Sequence, residues 1–196
     1  MKRRLKVLLV FDTPYHTARG YNFEKEFKEL DWVTEKDVYS ALLENGYGVT
    51  LLGLYNDISL LFEEVKENKP EVIFNLTEVF KQKSYLEKNV AWILEILGIP
   101  YTGATPASLL ICNNKALTKK ILTFHKIRVP NFYTFYKHRK VKFIRKLKLP
   151  LIVKPLYEEA SRGISQASVV DSEEGLIERV KFIHTHLNMD AIAEEY

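Results

Sequence analysis

Residues 5–11, LKVLLVF, form an unbroken apolar run that reads as a buried strand. Helical spacing follows in TEKDVYSALLENG (34–46), where Thr34 and Asp37 suit a capping pair and Gly46 a stop. VTLLGL (49–54) reads as a second strand, DISLLFEEVKEN (57–68) as a helix closed by Pro70, and EVIFNL (71–76) as a third strand. SYLEKNVAWILEILG (84–98) is a helix opened by Ser84 and Glu87 and stopped at Gly98, and IPYTG (99–103) is a short fourth strand with its turn. Strands that are apolar throughout and alternate with helices predict an α/β fold, a parallel, doubly wound sheet covered on both faces. Between the first strand and the first helix lies an irregular stretch, residues 12–32, rich in aromatic and charged side chains. Its beginning, FDTPYHTARG, has no G-x-G-x-x-G turn, which excludes a dinucleotide site of the usual kind.

The second half has a different grammar. NNKALTKKILTFHKIRVP (113–130) predicts one helix ended before Pro130, and NFYTFY (131–136) a strand. A basic connector, KHRKVKFIRKLKLP (137–150), leads into the strand LPLIVKP (149–155). A loop of about eight residues and the strand-like SQASVV (165–170) complete the outline of a hairpin with an enlarged tip. SEEGLIERVKFIHTHL (172–187) is a helix capped by Ser172, and MDAIAEEY (189–196) rises as a last strand. This is an α+β pattern, antiparallel strands with two helices expected on one face. A composition shift near Thr105 divides the chain into domains of residues 1–104 and 105–196. The chain stops in mid-strand; a domain finishing at Tyr196 would leave an unprotected edge, which implies a missing remainder.

Composition narrows the class. The 196 residues are 46% hydrophobic and 28% charged, the balance of a soluble domain with a proper core. A net charge of +4 is too mild to name a partner. One cysteine, Cys112, excludes an internal disulfide and fits a reducing cytoplasm; a small packed side chain is its default role. The opening MKRRLKVLLVF imitates a signal peptide, but its apolar part ends at Asp12-Thr13-Pro14 without a small-residue cleavage site. No run is long enough to span a bilayer, so a cytoplasmic protein without membrane contact is expected. The connector carries seven Lys or Arg in twelve residues but lacks the interleaved aromatics of a stacking platform, which favours a solvated surface over nucleic acid. His184 and His186, at i and i+2, do not share a helix face and are no metal pair.

Lys154 carries the sharpest question, because it interrupts an apolar strand. An ammonium group there needs a negative partner: Glu158 or Glu159 folding back, or an anion from outside. Asn75 and Glu78 follow the third strand at its C-terminal end, where α/β folds place ligand-binding loops, and are candidates for substrate contact.

YTGATPASLLICNNKALTKKIL, IRVPNF, LPLIVKP with its loop, and AEEY, in this order, resemble the ATP-grasp enzymes, and among them the D-alanine–D-alanine ligase branch. The resemblance covers essentially the whole chain. It implies an N-terminal α/β domain (1–104) followed by the smaller lobe of an incomplete ATP-grasp domain (105–196), cut at the hinge. In that family Lys154 would meet the α- and β-phosphates of ATP, and Lys115, otherwise a solvated helix lysine, would be the second phosphate contact. The loop from Glu158 to Ile164 would form a mobile flap, with Ser161 and the amides around Gly163 donating to phosphate. Glu194 would accept from the adenine amine, the backbone at Glu195 would offer further polar groups, and Tyr196 would supply an aromatic face. The implied reaction joins a carboxylate to an amine through an acyl phosphate, acting on small amino acids or peptides. The implied assembly is a dimer. Magnesium is implied for the complete enzyme, with none of its ligands in this chain, so the 196 residues alone are expected to be inactive. Two departures stand out. Ligases joining two D-alanines usually have a Gly-Ser-Ser run in the flap, where this chain reads Glu159-Ala160-Ser161, and their glycine-rich, glutamate-bearing turn after the first strand has no counterpart in residues 12–32. The competing reading is a naturally shortened, non-catalytic module that binds a nucleotide or pairs its terminal strand with a partner.

Overall fold

The apolar run at the start of the chain becomes β1 (Lys6–Asp12), buried from Val7 to Phe11. The computed structural model describes residues 4–158 and 163–196, and the chain divides into two units, Met1–Pro106 and Ala107–Tyr196.

In the first unit β1 lies between β2 (Gly48–Leu54) and β3 (Val72–Asn75), parallel to both, in the order β2-β1-β3. The predicted fourth strand is reduced to one parallel bridge, Ile73 to Tyr101. The two-residue period of a strand sends alternate side chains to opposite faces. Leu8 and Val10 pack with Leu61 of α2 (Ser59–Asn68) and with Val90 and Leu94 of α3 (Glu87–Leu97). Leu9 and Phe11 pack with Phe23, Trp32 and the α1 residues (Val33–Glu44) Val38 and Tyr39. Helices thus cover both faces, which is why the strands read as continuously apolar.

Thr34 and Asp37 do not cap α1. The helix starts at Val33, a 3₁₀ turn over Leu30–Trp32 runs straight into it, and no side chain caps its first turn. Trp32, buried against Phe11, fixes the entry by packing instead. Ser84 likewise lies in a 3₁₀ turn, Ser84–Leu86, that runs straight into α3. The irregular segment is anchored on β2 at Gly53, where an added Cβ would lie 2.5 Å from Thr13 Cγ2 and 2.9 Å from Phe23 Cζ. Arg19 holds it to α2 through ion pairs to Glu63, Glu64 and Glu67.

The second unit contains α4 (Pro106–Cys112), unforeseen in the sequence, and α5 (Lys115–Phe124). It also holds a four-stranded antiparallel sheet in the order β4-β7-β5-β6, built from β4 (Phe132–Phe135), β5 (Leu151–Pro155), β6 (Val169–Val170) and β7 (Ala191–Glu195). α6 (Glu173–His186) is capped by Ser172, whose hydroxyl accepts from Gly175 N at 3.1 Å.

Six expectations need correction here. β7 is not an edge: β4 pairs along one side of it and β5 along the other, so the ladder that strand addition requires is already used. The two helices do not share a face. Val153, Ala191 and Ala193 pack with Leu176, Val180 and Ile183 of α6, whereas Ile192 packs with Ala116 of α5 on the opposite side. α5 stops at Phe124 rather than before Pro130, because Lys126 takes a positive φ of 61°. SQASVV is mostly a 3₁₀ turn over Gln166–Ser168, leaving two residues for β6. The basic connector is not merely solvated: Leu147 is buried in the sheet–α6 core, and Val141, Phe143 and Ile144 pack against it while the charged side chains stay exposed. Cys112, expected to be packed, is exposed. Among the described residues no helix is long and apolar enough to cross a membrane.

Candidate functional site

The sheet face beneath α5 carries the alternate residues Ile152 and Lys154 of β5 and Ile192 and Glu194 of β7. Antiparallel register sets Ile152 opposite Glu194 and Lys154 opposite Ile192, so the lysine and the glutamate are diagonal neighbours. Lys154 Nζ lies 3.1 Å from Glu194 Oε2. Among the described residues the partner of the strand lysine is therefore not Glu158 but a carboxylate 40 residues away. Glu194 is 4% exposed, and a carboxylate so placed must be paired.

A second ammonium group reaches the same oxygen. Lys119 Nζ of α5 lies 3.3 Å from Glu194 Oε2. Lys115 is one helical turn earlier on α5, so both lysines project from one face. Lys115 Nζ donates to the carbonyl of Glu158, and its backbone amide meets Leu156 O at 3.4 Å. The helix start is fixed by Asn114, whose side chain accepts from Leu117 N at 3.0 Å. Two lysines from two elements thus meet on one buried glutamate, and a third, Lys115, stands a helical turn from one of them. Lys119 escaped the sequence reading because lysines are common on helices; the signal available was its i+4 spacing from Lys115.

The remaining candidates divide. Gly163 has φ of 71°, and a Cβ there would meet Leu187 Cδ1 at 2.7 Å and Pro155 Cγ at 2.9 Å. Its carbonyl accepts from Arg179 Nη2 at 2.7 Å, and the same nitrogen donates to Ser168 Oγ at 2.9 Å. Arg179 is a second residue that no sequence signal marked. Glu195 turns to structural work: its carboxylate accepts from Asn131 Nδ2 and Lys148 N, and its amide donates to Asn131 O. Tyr196 is exposed, its amide bonded to Pro150 O. Ser161 lies outside the described residues, as do Glu159 and Ala160 of the expected flap.

Asn75 and Glu78 belong to the first unit. Asn75 Oδ1 accepts from the amide and hydroxyl of Thr77, so its side chain shapes the turn after β3. The amides of Glu78 and Val79 both donate to Asp12 Oδ1 at the end of β1. Glu35 of α1 is pushed above the usual carboxylate range, first by burial and then by the charges of Asp12 and Glu78, and its Oε2 has no hydrogen-bond partner. Glu26, in the irregular segment, accepts from the hydroxyls of Tyr15 and Tyr21 through one oxygen, and the Tyr15 bond is the main cause of its lowered pKa. Among the described residues no group of three or more His, Cys, Asp or Glu side chains is placed to hold a metal.

No protein-family model matches the chain. A D-alanine–D-alanine ligase of Aquifex aeolicus is 32% identical over 151 residues, covering 77% of this chain and 49% of the relative. A D-alanine–D-alanine ligase of Pelagibacter ubique is 35% identical over 135 residues, 65% of this chain and 42% of the relative. The curated relatives that this chain matches include D-alanine–D-alanine ligases of several bacteria, enzymes of the ATP-grasp type. The crystal structure of the D-alanine–D-alanine ligase from Bacillus anthracis complexed with ATP superposes with a TM-score of 0.74 at 24% identity, covering 98% of this chain and 58% of that one. That likeness is one of fold, and it includes both the parallel and the antiparallel sheet. The chain spans about half the length of the D-alanine–D-alanine ligases it matches.

Proposed function

We propose that the second unit binds ATP on the face beneath α5, as part of an ATP-dependent carboxylate–amine ligase of the D-alanine–D-alanine ligase type. The observation that carries this reading is the pairing of Lys119 and Lys154 with one buried oxygen of Glu194, with Lys115 one helical turn from Lys119 on α5. Two ammonium groups on one carboxylate oxygen leave that triad one positive charge in excess. On a partly buried surface such an excess is matched by a polyanion. Homology to ATP-grasp ligases, and an ATP-bound member of the same fold, make a triphosphate the polyanion of choice.

In this reading Lys154 and Lys115 bind phosphate oxygens, and Glu194, fixed on an inner strand, presents its carboxylate to the adenine amine. Glu195 and Tyr196 set the end of β7 through their backbone bonds. In this reaction class the substrate carboxylate is activated as its acyl phosphate, and an amine displaces phosphate to give an amide or peptide bond. Asn75 and Glu78 stand for the amino-acid side of the reaction, and a homodimer is the proposed assembly. The magnesium that phosphoryl transfer requires is assigned to no residue described here.

The test is an ATP titration of the chain by calorimetry. Lys154→Met, close in volume and uncharged, is expected to weaken ATP binding about tenfold or more, in line with the loss of a charge-assisted contact. It should leave the unfolding transition cooperative, because Lys119 still pairs Glu194. Unchanged ATP affinity in a folded Lys154→Met chain would refute the phosphate role.

A further inference from the structure

Lys154 poses a difficulty for any phosphate role, since it is already engaged. Its ammonium group sits 3.1 Å from Glu194 Oε2, and Glu194 is 4% exposed. Turning Lys154 to a phosphate would leave a buried carboxylate without its cation unless another group holds it. Lys119 is that group. It approaches the same oxygen at 3.3 Å, comes from a different element, and is itself largely covered, with 16% of its side chain exposed. α5 is tied in place at its N-terminus by the Asn114 cap, by Lys115 N to Leu156 O, and by Ala116 packed on Ile192. Lys119 can therefore keep its pairing with Glu194 while the Lys154 side chain moves.

We infer that Lys119 is a positioning residue: it and Lys154 are interchangeable partners of Glu194, so that Lys154 is released to an incoming polyanion while Lys119 retains Glu194 in place. The pairing itself is independent of what the polyanion is; only its identity as a triphosphate rests on the nucleotide reading above. Pairing with Glu194 thus holds the Lys154 ammonium group near the position from which it would meet the polyanion. This explains why the site needs a lysine that touches Glu194 and nothing else among the contacts described.

Two measurements on the whole chain separate the inference from the nucleotide reading. The first is thermal unfolding of Lys119→Met, Lys154→Met, the double variant, and the same three in the E194Q background. Each single variant should lose little, because the other lysine remains. The double variant should lose roughly 6 °C or more beyond the sum of the singles, the shift expected for orphaning a buried charge. With Glu194→Gln that excess should vanish, since a neutral amide needs no cation. If the double variant does not fold, a folded triple variant carrying E194Q supports the inference, and an unfolded one overturns it. Additive losses, or an excess that persists with E194Q, also overturn it.

The second measurement is ATP binding. Lys119→Met should weaken it about tenfold, because Lys154 becomes the sole partner of Glu194 and cannot leave. Adding Glu194→Gln should restore affinity to within about threefold of the E194Q chain, the agreement expected when one residue acts only through the other. Loss that persists in the E194Q background would make Lys119 a direct ligand contact and overturn the positioning role. A parent chain that binds no ATP overturns the nucleotide reading and the release of Lys154 to a triphosphate, while the unfolding series still decides the shared pairing.

Discussion

Glu35 shows what a single side chain reveals when its surroundings disfavour its charge. Its carboxylate is raised above the ordinary range by burial first, then by Asp12 and Glu78, and Oε2 lacks a hydrogen-bond partner. A folded-state pKa above the unfolded one means that the folded chain binds the proton more tightly. Glu35 therefore costs nothing below the ordinary glutamate pKa of about 4.3, where it is protonated in both states, and its burden appears as pH rises through the raised value. Glu35→Gln is expected to raise the melting temperature at pH 7 and to leave it nearly unchanged at pH 4. Equal gains at both pH values would place the effect in packing rather than charge. The same scale sets the limit of the sequence reading. Lys154 was conspicuous because an apolar run isolates it, but its partner lies 40 residues away and only strand register puts the two together. Lys119 and Arg179 had no comparable contrast with their neighbours.

Periodicity made the elements legible where burial alone dictates them, and less so where tertiary packing decides. The first strand, the alternation with helices and the Ser172 cap of α6 follow from local pattern. The start of α1 does not, because buried Trp32 replaces the expected hydroxyl cap. The position of β7 in the sheet could not be read either, since a strand looks the same at an edge or in the middle until its partners are known. The connector between β4 and β5 was misjudged because its charge hides its apolar residues. Leu147 is 6% exposed and sits with Leu151, Val153 and Leu176. Leu147→Ala should therefore cost about 2–5 kcal/mol in denaturant unfolding, as expected for a buried leucine. Lys146→Ala next to it, exposed, should stay within about 0.5 kcal/mol. Equal effects from the two would mean that the connector is only a solvated bridge.

At the level of the molecule, each of the two units carries its own core and its own chemistry. The parallel unit gathers Asp12, Glu35 and Glu78 at strand ends and the helix beside them, and the antiparallel unit gathers lysines around Glu194. Binding a triphosphate and transferring its terminal phosphoryl group make different demands. Binding needs fixed positive charge, which in the proposed reading Lys115 and Lys154 would supply, with Lys119 holding Glu194. Transfer needs metal and cation clamps on charge that develops only in the transition state. Glu194 cannot easily serve as a metal ligand while two ammonium groups occupy its Oε2, and no acidic cluster suited to a metal is present among the described residues. The 196-residue chain is accordingly expected to bind ATP without sustained turnover. Phosphate release measured with ATP, magnesium and pairs of D-amino acids should not exceed the protein-free rate, while the same sample gives a saturable ATP isotherm. Sustained amino-acid-dependent phosphate release would show that these residues already contain the transfer machinery.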